Sequence, residues 1–128
     1  GFLLGYILLQ IYENNPYFSP YFIALLLWYP VFEILFSIIR KTKINKSPLK
    51  PDNKHLHHLL FLYFEKKLKF KTNTTNNLTS ILVIVYNLFI FLIATQDIYS
   101  STLHVVLFAI NIFIYLVLYS KLSHLKNS

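Results

Sequence analysis

Four apolar stretches, separated by short polar ones, set the pattern of the chain: residues 1–11, 20–39, 78–94 and 103–119 are nearly unbroken runs of Leu, Ile, Val, Phe and Tyr. The second holds twenty residues, and at about 1.5 Å per residue it matches a hydrocarbon core of ~30 Å. The third and fourth hold seventeen each, near the lower limit for a span. The first, with eleven, covers about half a core. The pattern predicts an all-α polytopic membrane protein with about four crossings, the first truncated. Pro20 stands at a helix start, where its missing N–H costs nothing. Pro30 lies inside the second stretch and should kink it.

Residues 40–71 break this apolar pattern. Over 55–69, Leu56, Leu59, Leu60, Tyr63, Phe64 and Leu68 recur at spacings of three and four, the stripe of an amphipathic helix. Glu65, Lys66, Lys67 and Lys69 fall on its other face, as in a helix lying on a membrane surface. Asp52 is placed to cap it. Residues 72–77 are polar and read as a hinge. Residues 12–19 and 96–101 are short connectors.

Charge adds a direction. Ten of the twelve Lys and Arg lie in 40–71, two in the tail, and none in either connector. Segments rich in Lys and Arg stay on the cytoplasmic side, which predicts a cytoplasmic loop over 40–71 and a cytoplasmic C-terminus. The net charge of +7 is therefore a topological signal and no nucleic-acid footprint. Composition agrees with a bilayer protein: 55% hydrophobic and 13% charged, against about 25% charged in soluble domains, with a mean hydropathy of +0.51. There is no cysteine, which excludes disulfides and thiolate metal sites. There is no methionine, and Gly1 opens in an apolar run. Residues 1–128 are accordingly expected to be the C-terminal membrane part of a larger protein.

The chemically loaded segment is S-P-L-K-P-D-N-K-H-L-H-H-L-L at 47–60, with His55, His57 and His58. Three readings of it stand. Imidazoles bind zinc, but a site needs three or four ligands, and carboxylates are few. Imidazoles near their pKa of about 6.5 also donate hydrogen bonds to phosphates, helped here by Arg40, Lys50, Lys54 and a helix N-terminus. The third reading is a solvated basic loop that docks only on anionic lipid. Glu33 sits at membrane depth, where an acid is costly. Its two readings are a functional role or an interfacial salt bridge to a nearby Lys. His104 and Asn111 share a helix face seven residues apart, the arrangement of polar glue within a bundle.

P-V-F-E-I-L-F-S-I-I-R-K at 30–41, followed by the histidine segment, resembles the C-terminal part of the polyprenyl-phosphate N-acetylhexosamine-1-phosphate transferases. That family's pattern runs from a membrane helix with P-x-x-D, through an Arg pair, to S-P-F-x-P-D-R-x-H-I/L-H-H-L. G-F-L-L-G-Y at the start resembles the segment after the family's M-G-D-S-G-S motif. The resemblance implies a membrane transferase that moves a sugar-1-phosphate from a UDP-sugar to polyprenyl (undecaprenyl) phosphate. UMP would be released at the inner face of the bacterial cytoplasmic membrane, in the synthesis of cell-envelope glycans such as the cell wall or lipopolysaccharide. It places His55, His57, His58, Asp52 and Arg40 at the nucleotide-sugar site, with His58 as the catalytic candidate. Glu33 stands where Asp is usual, Lys41 where Arg is, Leu49 for Phe and Asn53 for Arg. The resemblance also implies Mg2+, held by D-D-x-x-D and N-x-x-N-x-x-D-G motifs that residues 1–128 lack. This stretch is therefore expected to bind no metal of its own and to be inactive alone. The implied partners are a UDP-sugar, polyprenyl phosphate, membrane lipid and the remainder of the same protein, with a homodimer left open and no nucleic acid. The alternatives are a non-enzymatic lipid-docking module and a histidine-based metal-handling membrane protein.

Overall fold

The computed structural model describes residues 2–45, 47 and 54–127. Among them every regular element is helical: α1 (Phe2–Asn14), α2 (Pro20–Leu26), α3 (Trp28–Lys43), α4 (Leu56–Leu68), α5 (Thr72–Ala94) and α6 (Ser101–Asn127), with a 3-10 turn at Thr95–Asp97. The stretches Thr72–Asp97 and Ser101–Leu125, of 26 and 25 residues, are long and apolar enough to cross a membrane. Their outer faces expose Val85, Leu88, Phe89, Ile110 and Phe113, as lipid contact requires. α2 and α3 together qualify as a third, broken span. α1, with 13 residues, reaches about 20 Å and falls short of a span by itself. The all-α membrane architecture is thus as expected, with two straight crossings and a third that is bent.

The bend measures 72° and lies at Leu27, three residues before the proline expected to cause it. The displacement has a covalent reason. Pro30 has no N–H for the carbonyl of Leu26, and its ring clashes with that carbonyl, so the helix must end by Leu26. Leu27 takes φ −103° and ψ 4°, and Trp28 starts a new helix. Pro30 then falls in the first turn of α3, where helical N–H groups lack partners in any case.

α6 forms the central post. His104, Leu107, Asn111, Tyr115 and Leu122 are all buried and recur at three, four and seven, one face of the helix. α2, α4 and α5 pack on it. The ring of Tyr115 receives Phe32 and Phe36 of α3 edge-on, at centroid distances of 4.9 and 5.4 Å. Two polar ties sit within the apolar interior. The buried His104 places Nε2 3.1 Å from the Ala94 carbonyl. Asn111 donates to the Leu107 carbonyl and accepts from the Tyr86 hydroxyl. These are the structural ties expected of His104 and Asn111, made to α5 and to α6 itself.

The two connectors without Lys or Arg meet at one end of the bundle. The Ser19 N–H donates to the Ile98 carbonyl at 3.0 Å, the Ser101 hydroxyl donates to that of Ser19, and Phe18 and Tyr99 pack edge to face. Among the described residues, the basic stretch sits with the far end of α6, where Arg40 reaches Tyr119. Charge asymmetry along the chain is therefore charge asymmetry along the bundle axis.

α4 departs from its expected setting. Its stripe, led by Leu56 and Leu59, which are 5% and 2% exposed, packs on α5 and α6 instead of on bare lipid. Residues 72–77 form the first turns of α5 and no hinge. Their hydroxyls are absorbed by the helix: Thr75 Oγ1 donates to the Lys71 carbonyl and Thr79 Oγ1 to that of Thr75, the back-bonding available to threonine within a helix.

Tyr86→Phe should leave the buried Asn111 oxygen without its donor and cost about 1 kcal/mol, read as a lower unfolding midpoint in detergent. Adding Asn111→Leu should recover part of the loss, because the unpaired acceptor is then gone.

Candidate functional site

The chain returns to the bundle at Lys54, and α3 meets it there with two charged side chains, Glu33 and Arg40, seven residues apart and so on one helix face. Arg40 Nη1 donates to the Lys54 carbonyl and to the Tyr119 hydroxyl, both at 2.7 Å. Its guanidinium also lies over the rings of Phe36 and Tyr119. The Leu56 N–H donates to Glu33 Oε1 at 2.9 Å, and His55 Nδ1 lies 3.0 Å from the same oxygen. Of the two readings for Glu33, the salt bridge to a lysine is replaced by a contact with an imidazole and a helix N-terminus. His55 is the residue before α4, extended at φ −77° and ψ 149°, and its own side chain caps nothing. Asp52, the expected cap, lies outside the described residues, as do Leu49, Lys50 and Asn53.

The three histidines do not act alike. His55 turns to Glu33, and its ring stacks on that of His57, with centroids 5.7 Å apart and planes 8° from parallel. His57 and His58 line a cavity of about 630 Å³ between α4 and α5. His58 packs edge to face with Phe61, and its Nδ1 is buried without a hydrogen bond. The structure thus joins two of the predicted site residues in one cavity. His55 and Arg40 stay outside the lining, His55 against the Glu33 carboxylate and Arg40 on the Lys54 carbonyl.

The opposite wall is α5. Thr72, Asn73, Asn76, Thr79 and Ser80 supply amides and hydroxyls, Val83 and Ile84 an apolar floor, and Tyr29 of α3 closes one side. Sequence reasoning passed over this wall. A signal was present: Asn73, Asn76 and Ser80 keep helical spacing in a polar but uncharged segment that runs straight into an apolar span. The first N–H groups of α5 are free of intrahelical partners by geometry.

Among the described residues, no Lys, Arg, Asp or Glu lines the cavity. Its ionisable groups are imidazoles and one phenol, surrounded by neutral donors, a set suited to an anion that arrives with its own charge. It does not suit a divalent cation. Among the described residues no three His, Asp or Glu side chains converge, so the residues in hand do not fit the magnesium that the resemblance implied, nor a histidine zinc site. Partial burial pushes the His57 imidazole below its ordinary pKa of 6.5; the charge of Glu33 opposes that, and His55 and His58 add to it.

Fold and site together define a helical membrane protein with a histidine-lined cavity at the basic end of its bundle. Known proteins agree with that class. The chain is 36% identical over 104 residues to the undecaprenyl-phosphate alpha-N-acetylglucosaminyl 1-phosphate transferase of Thermotoga maritima, a match that covers 80% of this chain and 32% of the relative. It is 33% identical over 108 residues to a probable undecaprenyl-phosphate N-acetylglucosaminyl 1-phosphate transferase of Bacillus subtilis, covering 84% of this chain and 27% of the relative. No family model and no solved structure matches. Over four fifths of its length, the chain is a homologue of the undecaprenyl-phosphate N-acetylglucosaminyl 1-phosphate transferase family. It spans about a third of the length of those relatives.

His57 should titrate below 6.5 in a carbon-13 NMR titration of labelled histidine. The unfolded chain then takes up this proton first, so the contribution to stability is present above 6.5 and is lost as pH falls from 6.5 through the lowered value. His57→Asn should remove that part of the acid slope.

Proposed function

We propose that the chain is the histidine-bearing part of an integral membrane transferase that moves N-acetylhexosamine-1-phosphate from a UDP-sugar to undecaprenyl phosphate. In that reaction a phosphate oxygen of the lipid attacks the phosphorus bonded to the sugar. The bond to UMP breaks, and UMP leaves with the electron pair. Such a transfer depends on placing the two phosphates and on stabilising charge around the transferred group. Magnesium supplies part of that stabilisation in the family's chemistry. Its ligands are assigned to the part of the protein beyond these residues.

The observation that carries this reading is the pairing of His57 and His58 in one cavity with the amides and hydroxyls of α5, in a homologue of undecaprenyl-phosphate transferases. The role of His57 and His58 is to donate hydrogen bonds to the diphosphate of the nucleotide sugar. A neutral His57 gains a proton most readily when a phosphate settles beside it. Asn73, Asn76 and Ser80 hold the uncharged parts of the ligand. Arg40 and His55, assigned to substrate by the motif, also brace the site: Arg40 holds the Lys54 carbonyl and His55 meets the Glu33 carboxylate.

In the full-length enzyme, His58→Ala should lower UMP release about 10²-fold or more, the scale for losing one donor to a developing anion, with membrane insertion unchanged. Unchanged turnover would remove the histidines from the mechanism. Residues 1–128 alone should release no UMP.

The basic end of the bundle is assigned to the cytoplasm of a bacterial inner membrane by its Lys and Arg. The chain has no native cysteine, so single substitutions report the side cleanly. Thr42→Cys should resist an impermeant thiol reagent applied to intact cells, and Asn15→Cys should react.

A further inference from the structure

Glu33 is 7% exposed and points away from solvent, yet its carboxylate sits outside the lining of the histidine cavity. One oxygen serves the Leu56 N–H and His55 Nδ1. The other is buried without a hydrogen bond, as are the hydroxyls of Tyr29 and Tyr115. This is an expensive place for an acid unless it does something the fold cannot otherwise do. The Leu56 N–H belongs to the first turn of α4, where no carbonyl within the helix can take it. His55, the local N-cap, makes no side-chain cap. Glu33 therefore caps α4 from another helix, 23 residues back along the chain, with a negative charge at the positive end of the helix dipole.

We propose that Glu33 is a positioning residue for the histidine site, which holds His57 and His58 in register without touching the ligand. This inference rests on the function proposed above. The cap decides where α4 starts, and the start decides which way residues 57 and 58 point. The contact with His55 settles the proton of that ring on Nδ1, and the stacked His55 ring sets the plane of His57. Arg40 completes the grip one residue earlier, on the Lys54 carbonyl. A carboxylate and a guanidinium on one face of α3 thus hold a backbone acceptor and a backbone donor on either side of His55.

The test uses the full-length enzyme in nanodiscs with Glu33→Leu and Glu33→Gln, read by UMP release and by amide hydrogen exchange of peptides from α4, α5 and α6. Glu33→Leu should speed exchange across the first turn of α4 at least tenfold, leave the α5 and α6 peptides unchanged, and lower kcat at least tenfold. Glu33→Gln keeps an acceptor for the Leu56 N–H and should restore most of both. Turnover lost with α4 exchange unchanged would mean that Glu33 acts on the ligand directly. Exchange raised with turnover unchanged would mean that the cap does not serve the site. Protection restored by Gln without turnover would mean that charge is needed and capping is not. Each of these three results overturns the proposal. Faster exchange in α5 and α6 would also overturn it, by making Glu33 a general stabiliser. His58→Ala in the same assay separates the two levels: full activity there sinks the transferase reading, while the exchange data still report on the cap.

Discussion

A buried carboxylate meeting a helix N-terminus is the contact on which the rest of this structure depends. Taking Glu33 out of water costs several kcal/mol unless hydrogen bonds and opposite charge offset it. The free N–H of Leu56, the imidazole of His55 and the dipole of α4 supply that offset together. The contact works in both directions. α4 gains a cap that its N-cap residue His55 does not make, and the acid gains partners from another helix. With the start of α4 anchored, Leu56 and Leu59 meet α5 and α6, and His57 and His58 face the polar first turns of α5.

The bundle holds this arrangement by means suited to lipid. Within a bilayer the hydrophobic effect does little to bring helices together, so packing and hydrogen bonds must do so. α6 uses both along one face: edge-to-face contacts of Tyr115 with Phe32 and Phe36, and the polar ties of His104 and Asn111. The break at Leu27 matters as much. It lets α3 leave the line of α2 by 72° and carry Glu33 and Arg40 to the place where the chain returns at Lys54. A straight helix through Pro30 is ruled out by the proline ring itself, so the redirection is written into covalent structure.

The division of labour among the histidines follows from these constraints. Three imidazoles within four residues suggest one shared ligand. The backbone separates them: His55 is extended before the helix, while His57 and His58 lie in its first turn. One ring is spent on the support, and two are left to the cavity. Neutral groups of α5 complete the lining, and no acid among the described residues enters it.

Much of this was legible in the residues alone. Hydrophobic periodicity and the histidine motif are local signals, and both carried through: helices where apolar runs stood, and a relationship to the undecaprenyl-phosphate transferases that the motif had already suggested. The polar start of α5 was misread as a hinge, because threonine and asparagine disfavour helix interiors until back-bonding and a packed neighbour absorb their polar atoms. The partner of Glu33 was beyond reach for a different reason. An acid at membrane depth announces that it must be satisfied but not by what, since its donors lie 22 and 23 residues away across a turn whose path no local preference dictates. The order of residues determined which elements form and what chemistry they carry. Only the packing of α4 against α5 and α6 decided which histidines line the cavity, because a contact between distant segments exists only once the helices that bear them have met.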